Sequence, residues 1–181
     1  MVLSWIEDVT SEYFRKTGHL VFNNISYFAL SPGKKQPAWQ EFDVLAIKNK
    51  KAKIVSCKRG LGPEEYDKQA KMLLFHRESM LSRPDLEIYR PLFVDSPSVV
   101  LVIEYPRPEH VGRITRMGVE VLPVRQLLRD FVDLLYKDLK EHHMNEGKEE
   151  NYATRLIKSL LHWETVKIAN ARTVASTKSS T

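Results

Sequence analysis

The chain has 181 residues, of which 43% are apolar and 28% charged, and its 28 Lys and Arg against 23 Asp and Glu give a formal net charge of +5. This is the balance of a chain with a core and excludes an intrinsically disordered one. A single cysteine, Cys57, excludes an internal disulfide framework and a thiolate zinc cluster, and no apolar run reaches the roughly 18 residues of a membrane-spanning helix.

In chain order, Val2, Ile6, Val9 and Tyr13 recur at helical spacing, and Gly18 stands where a C-terminal cap belongs, so residues 2–17 read as a helix. Glu7 and Asp8 occupy the region where a secretion signal carries base, and we expect a cytoplasmic protein without membrane contact. Residues 20–30 are rich in β-formers and end at Ser31-Pro32-Gly33. Segments 42–48 and 52–58 form two short strands around a Lys/Asn turn, the pattern of a hairpin. After Gly60-Leu61-Gly62-Pro63 a helix starts with Glu64 and Glu65 in its first turn and runs to about Leu81.

The run 98–105 is almost continuously apolar, as in a strand buried on both faces. A short helix over 108–117 and a strand over 118–124 follow, and a strand–helix–strand passage favours parallel pairing. Leu127, Leu128, Phe131, Leu134, Leu135 and Leu139 form one stripe of a helix over 125–143. A last helix spans about 151–169, with Tyr152, Leu156, Leu160 and Trp163 on one face, and residues 171–181 read as a flexible tail. The expected organisation is an α/β domain over 1–124 and a helical extension over 125–170, packed on it or forming a homodimer seam.

Charge is concentrated. Between Gly33 and Gly60 there are eight basic residues (Lys34, Lys35, Lys48, Lys50, Lys51, Lys53, Lys58, Arg59) and two acids (Glu41, Asp43), a local +6 that exceeds the excess of the whole chain. Such a block suits a phosphate backbone, because neutralised phosphates release counterions. The plainer reading of Lys48-Asn49-Lys50-Lys51 is a solvated hairpin tip.

Two residues in this block are uncomfortable as mere structure. Alternate strand residues share a face, so Ser56 and Lys58 point one way and Cys57 the other, and in a hairpin Asp43 lies across from the pair. An isolated carboxylate at the start of an apolar strand and a lysine at the end of its neighbour are costly in a core. They make sense at an open sheet edge.

This arrangement resembles the PD-(D/E)XK nuclease superfamily, which includes restriction-endonuclease-like proteins and archaeal Holliday-junction resolvases. The resemblance covers residues 2–124 and rests on the order α-β-β-β-α-β and on Asp43 followed thirteen residues later by Ser56-Cys57-Lys58. It implies a mixed central sheet flanked by helices and metal-dependent hydrolysis of phosphodiester bonds in DNA. Mg²⁺ or Mn²⁺ would be held by Asp43, a first-helix acid mapped to Glu7 (eleven residues before Gly18) and the backbone carbonyl of Cys57. Lys58 would orient or deprotonate water or stabilise developing charge, with Gln69 as a further polar neighbour of the site. Lys34, Lys35, Lys48, Lys50, Lys51, Lys53 and Arg59 would hold the backbone.

The sequence departs from that pattern at Ser56, which stands where the triplet carries an acid. A hydroxyl is a poorer Mg²⁺ ligand than a carboxylate. Either Glu41 or Glu7 supplies the missing charge and the site is active, or the fold is a catalytically silent nucleic-acid-binding or assembly module. Other candidates carry less. His142-His143 with Glu146 diverge on a helix, Cys57 lacks an evident His partner for nucleophilic chemistry, and Gly60-Leu61-Gly62-Pro63 lacks the Lys-Ser/Thr of an ATP phosphate loop. Trp39 precedes Asp43 in a loop from which it could touch substrate.

Overall fold

A computed structural model describes residues 5–142. The elements are α1 (Trp5–Lys16), β1 (Leu20–Ala29), β2 (Ala38–Lys48), β3 (Lys51–Lys58), α2 (Glu65–Ser82), a 3₁₀ segment (Pro84–Leu92), β4 (Ser98–Ile103), α3 (Pro108–Arg116), β5 (Val119–Pro123) and α4 (Val124–His142). The chain divides into two units, Met1–Leu128 and Arg129–Thr181, and the architecture below is that of the first. The helix expected over 151–169, the tail, His143 and Glu146 lie outside the described residues. Among those described, no helix is long and apolar enough to cross a membrane.

The fold is the mixed α/β sheet that the element order implies. Five strands lie in the order β1-β2-β3-β4-β5, with β1-β2 and β2-β3 antiparallel and β3-β4 and β4-β5 parallel. Asn49 and Lys50, at φ 52° and 60°, form the tight two-residue turn of the β2–β3 hairpin. The 3₁₀ segment is the one element that periodicity does not announce. Proline opens it at Pro84 and recurs at Pro91, which shortens the helix to this tighter form.

Alternation sorts the strands onto two faces. On one, Ala52 and Ile54 of β3 and Val99, Leu101 and Ile103 of β4 pack under Tyr66, Ala70, Leu73 and Met80 of α2 and Ile114 of α3. On the other, Val44, Ala46, Val55, Val100 and Val102 are buried, as are Ile6, Val9 and Phe14 of α1, which packs on β1, β2 and β3. Burial at about 25 cal/mol per Å² on both faces is what holds this sheet, and strands buried twice read as unbroken apolar runs.

One irregularity sets up the site. Phe42 shares the α2 face with Leu45 and Ile47, and Phe22 packs against that same core with Ile25 and Tyr27. A regular strand cannot put both 42 and 45 on one face, so the alternation slips between them. It slips in both strands at one rung: Asn23 pairs with Val44 and Ile25 with Phe42, while the rung of Asn24 and Asp43 is left out. Asn24 absorbs the change at φ 54°, a conformation asparagine tolerates better than most residues. On its other side β2 pairs with β3 only from Val44 to Lys48, so at Asp43 the β1–β2 ribbon parts from β3. This is also why β2 begins at Ala38 rather than Phe42: its first residues pair with β1 alone.

Candidate functional site

Where β2 leaves β3, a carboxylate takes over from the backbone ladder. Asp43 Oδ2 accepts from the Cys57 N–H at 2.5 Å and from the Ser56 hydroxyl at 3.0 Å, and the Lys58 ammonium stands 3.7 Å away. Gln69 Nε2, from α2, donates to Ser56 Oγ at 2.9 Å. A relay Gln69–Ser56–Asp43 therefore fixes the carboxylate. Ser56 lies on the α2 face, whereas Cys57 Sγ points to α1 and meets Thr10 Oγ1 at 3.6 Å, so the alternation expected across Ser56-Cys57-Lys58 is present. The Lys58 carbonyl accepts from the N–H of Glu104, the residue just after β4. Since N–H and C=O of one strand residue point to the same side, Cys57 turns both toward β2 and Asp43.

The group is graded from dry to wet. Ser56 is buried and the Asp43 side chain only 14% exposed, while the Lys58 side chain is 36% exposed and opens to solvent. The neighbouring Cys57 thiol is pushed up to about 12, first by burial and then by the Asp43 carboxylate. A thiol so raised is no nucleophile at neutral pH. We expect Cys57 to react with Ellman's reagent only after denaturation, and a native chain labelled at the rate of a free thiol would contradict this packing.

The other sequence-derived residues distribute unevenly. Glu41 does not join Asp43. The slip breaks the i, i+2 relation between them, and Glu41 accepts from Ser26 of β1 at 3.0 Å on the exposed ribbon. Glu7 lies near enough for its charge to act on the Cys57 thiol, as Asp43 does. Arg59 is exposed and pairs with Glu104 at 3.5 Å. Lys34 and Lys35 sit in the exposed β1–β2 loop, at the same end of the sheet as Asp43. Lys48, Lys50, Lys51 and Lys53 do not surround the site: Lys51 is seven residues up β3 from Lys58, about 23 Å at strand rise. The hairpin thus splits the basic block between opposite ends of the sheet. Trp39 is 72% exposed, edge-on to Phe28 at 5.7 Å.

Two residues escaped the sequence reading. Thr10 caps the thiol from a helix face that reads as plain amphipathic. Glu104 ends the apolar run of β4 beside Lys58, and its Oε2 is buried without a hydrogen bond; a lone acid closing such a run, as Lys58 closes β3, was the available signal.

Among the described residues no group of three or more His, Cys, Asp or Glu side chains could hold a metal ion. What stands at the end of β3 is Asp43, with one oxygen committed to the protein, Glu7 within electrostatic reach of Cys57, and the Cys57 carbonyl on the Asp43 side. That set does not fit a closed all-protein cage. It fits Mg²⁺ or Mn²⁺ as an ion held by one or two carboxylates and completed by waters and a substrate phosphate, the usual habit of Mg²⁺.

No family model and no curated protein matches the chain. Solved structures resemble it only distantly, and three of them illustrate the likeness. One is a protein of unknown function, AF1548, at TM-score 0.43 and 11% identity, covering 77% of this chain and 71% of that one. VC1899 from Vibrio cholerae matches at 0.43 and 16%, covering 71% of this chain, which spans only 31% of VC1899. The small subunit of the heterodimeric restriction endonuclease R.BspD6I matches at 0.46 and 15%, covering 92% and 89%. Likenesses this distant carry no chemistry over to this chain, and the site rests on its own geometry.

Proposed function

We propose that the chain is a metal-dependent nuclease hydrolysing phosphodiester bonds in DNA. The observation that carries this reading is the meeting of Asp43 and Lys58, 3.7 Å apart, at the point where two strands part and the sheet opens to solvent. When bound by Asp43 and Glu7, Mg²⁺ or Mn²⁺ would polarise a scissile phosphate and acidify a water. The chain's own groups do the rest. Ser56 and Gln69 hold the Asp43 carboxylate in one orientation, Asp43 steers the Lys58 ammonium, and Lys58 faces a phosphate oxygen and stabilises the charge that develops on it. Arg59, Lys34 and Lys35, at this end of the sheet, contact backbone phosphates without reading sequence.

A second reading, a nuclease fold that binds nucleic acid without cutting it, has its own support. The Ser56 hydroxyl occupies the triplet's acid position and is spent on Asp43, and among the described residues no three-donor ligand group forms. The full chain, with Mg²⁺ or Mn²⁺, offered linear, circular and branched DNA, separates the two. Cleavage that disappears in Lys58→Ala supports the nuclease. Inert protein that binds DNA with a steep salt dependence supports the silent module. DNA neither cut nor bound at low salt removes both.

A further inference from the structure

We infer that the hairpin end of the sheet, remote from Asp43, carries a second anion site that takes a phosphate group. A cavity of about 340 Å³ opens there, lined by His19 from the α1–β1 corner, Lys48, Asn49, Lys51 and Lys53 from the hairpin, and Ser98 at the start of β4. The register explains why the lysines converge. Lys48 is paired directly with Lys51, and Lys53 lies two residues further along the same face, beside Ser98 of β4. Like charges placed opposite each other on a sheet destabilise it, and a solvated tip has no need of them.

Compensation inside the protein is incomplete. Lys53 pairs with Glu120 at 2.8 Å, and Lys48 donates to the Thr17 carbonyl. Lys51 has neither a hydrogen bond nor an ion pair among the described residues. The field of Lys48 and Lys53 reaches the half-buried His19 imidazole, which burial foremost, and then these charges, hold below its ordinary pKa. The walls are also fixed in advance. The tight turn at Asn49-Lys50 sets the hairpin tip, and the Val94 N–H bonds the Lys50 carbonyl at 3.0 Å. Three lysines on a preformed wall, their stems supplying its mainly apolar lining and the Lys51 ammonium left without a partner among the described residues, suit a phosphate with a small organic body attached.

The phosphate has two sources, a soluble phosphorylated molecule or the backbone of a nucleic acid, and one titration distinguishes them. Isotope-labelled full-length protein is followed by NMR as inorganic phosphate, a 5′-mononucleotide and a short DNA duplex are added in turn. Shifts at His19, Asn49, Lys51 and Ser98, with Ser56 and Gln69 unmoved, are expected from the first two if the ligand is a soluble phosphate. Shifts at those four residues from the duplex alone assign the site to a nucleic-acid backbone. Lys51→Glu, which disturbs no internal partner, should weaken binding about tenfold or more by reversing one charge. Ligands that leave the four residues unmoved, or that move only the Asp43–Lys58 end, overturn the proposal. Because the two ends report through different residues, the outcome is independent of whether DNA is cut.

Discussion

Lys58→Ala is expected to lower DNA cleavage about a thousandfold while leaving the fold nearly as stable as before, whereas Asp43→Ala is expected to abolish cleavage and to destabilise the chain by about 2 kcal/mol or more. The two residues form one ion pair, and the difference lies in what else each of them does. Lys58 is partly solvated, and an ion pair in that setting is worth about 1 kcal/mol or less. Asp43 replaces a missing strand: its Oδ2 is the acceptor for the Cys57 N–H and the Ser56 hydroxyl, at a place where β2 no longer supplies a carbonyl. Removing it leaves two buried donors unsatisfied. Asp43→Asn keeps an oxygen acceptor and should recover part of the stability without restoring cleavage. Urea denaturation beside single-turnover cleavage of labelled DNA checks both halves. A Lys58→Ala protein that cuts like the parent removes Lys58 from the chemistry, and an Asp43→Ala protein of unchanged stability removes the capping role.

That double duty explains which parts of the site could be read in advance. The Asp43, Ser56 and Lys58 cluster follows from period-2 alternation and a thirteen-residue spacing, both local properties of a hairpin. Gln69 was named only because the family resemblance implies a polar neighbour on the helix after the triplet; its bond to Ser56 shows which face that helix covers. Glu41 failed for a reason that periodicity hides: the slip at Asn24 and Asp43 is shared by two strands, so each still reads as β-rich while the facing changes. The basic block failed for another reason. A linear count of charge from Gly33 to Gly60 treats the segment as one patch, yet a hairpin folds that segment back on itself and sends its turn and its ends to opposite edges. The centre of the sheet was legible because β3 and β4 are largely buried on both faces, and the apolar run of β4 leaves few competing assignments. The 3₁₀ segment was not, since Pro84 and Pro91 punctuate it without a helical period.

His76 should make the fold acid-sensitive in a window well above the carboxylates. It is buried on α2, where Tyr27 Oη meets its Nδ1 at 2.7 Å and Phe42 and Phe75 pack against the ring. Burial, and secondarily the charge of Lys58, lower its pKa from 6.5 to about 4. The unfolded chain takes up this proton below about pH 6.5 and the native chain only near pH 4, so in between the unfolded state binds more protons and stability rises with pH. The contribution is complete above pH 6.5 and is lost as pH falls through the window, about 2 kcal/mol by pH 5 and about 3 by pH 4. His76→Phe retains the ring packing but removes a partner of the Tyr27 hydroxyl, at a pH-independent cost of about 1–2 kcal/mol. The variant should therefore be the weaker protein at pH 7.5 and match the parent near pH 5, as urea titrations across that range would register. Parallel curves would mean that the native His76 keeps its ordinary pKa and would remove the burial effect. Because Lys58 helps to hold the imidazole neutral, an anion seated on Lys58, or Lys58→Ala, should raise the native His76 pKa and blunt the acid loss. The open edge of the sheet is in this way coupled electrostatically to the aromatic core behind it.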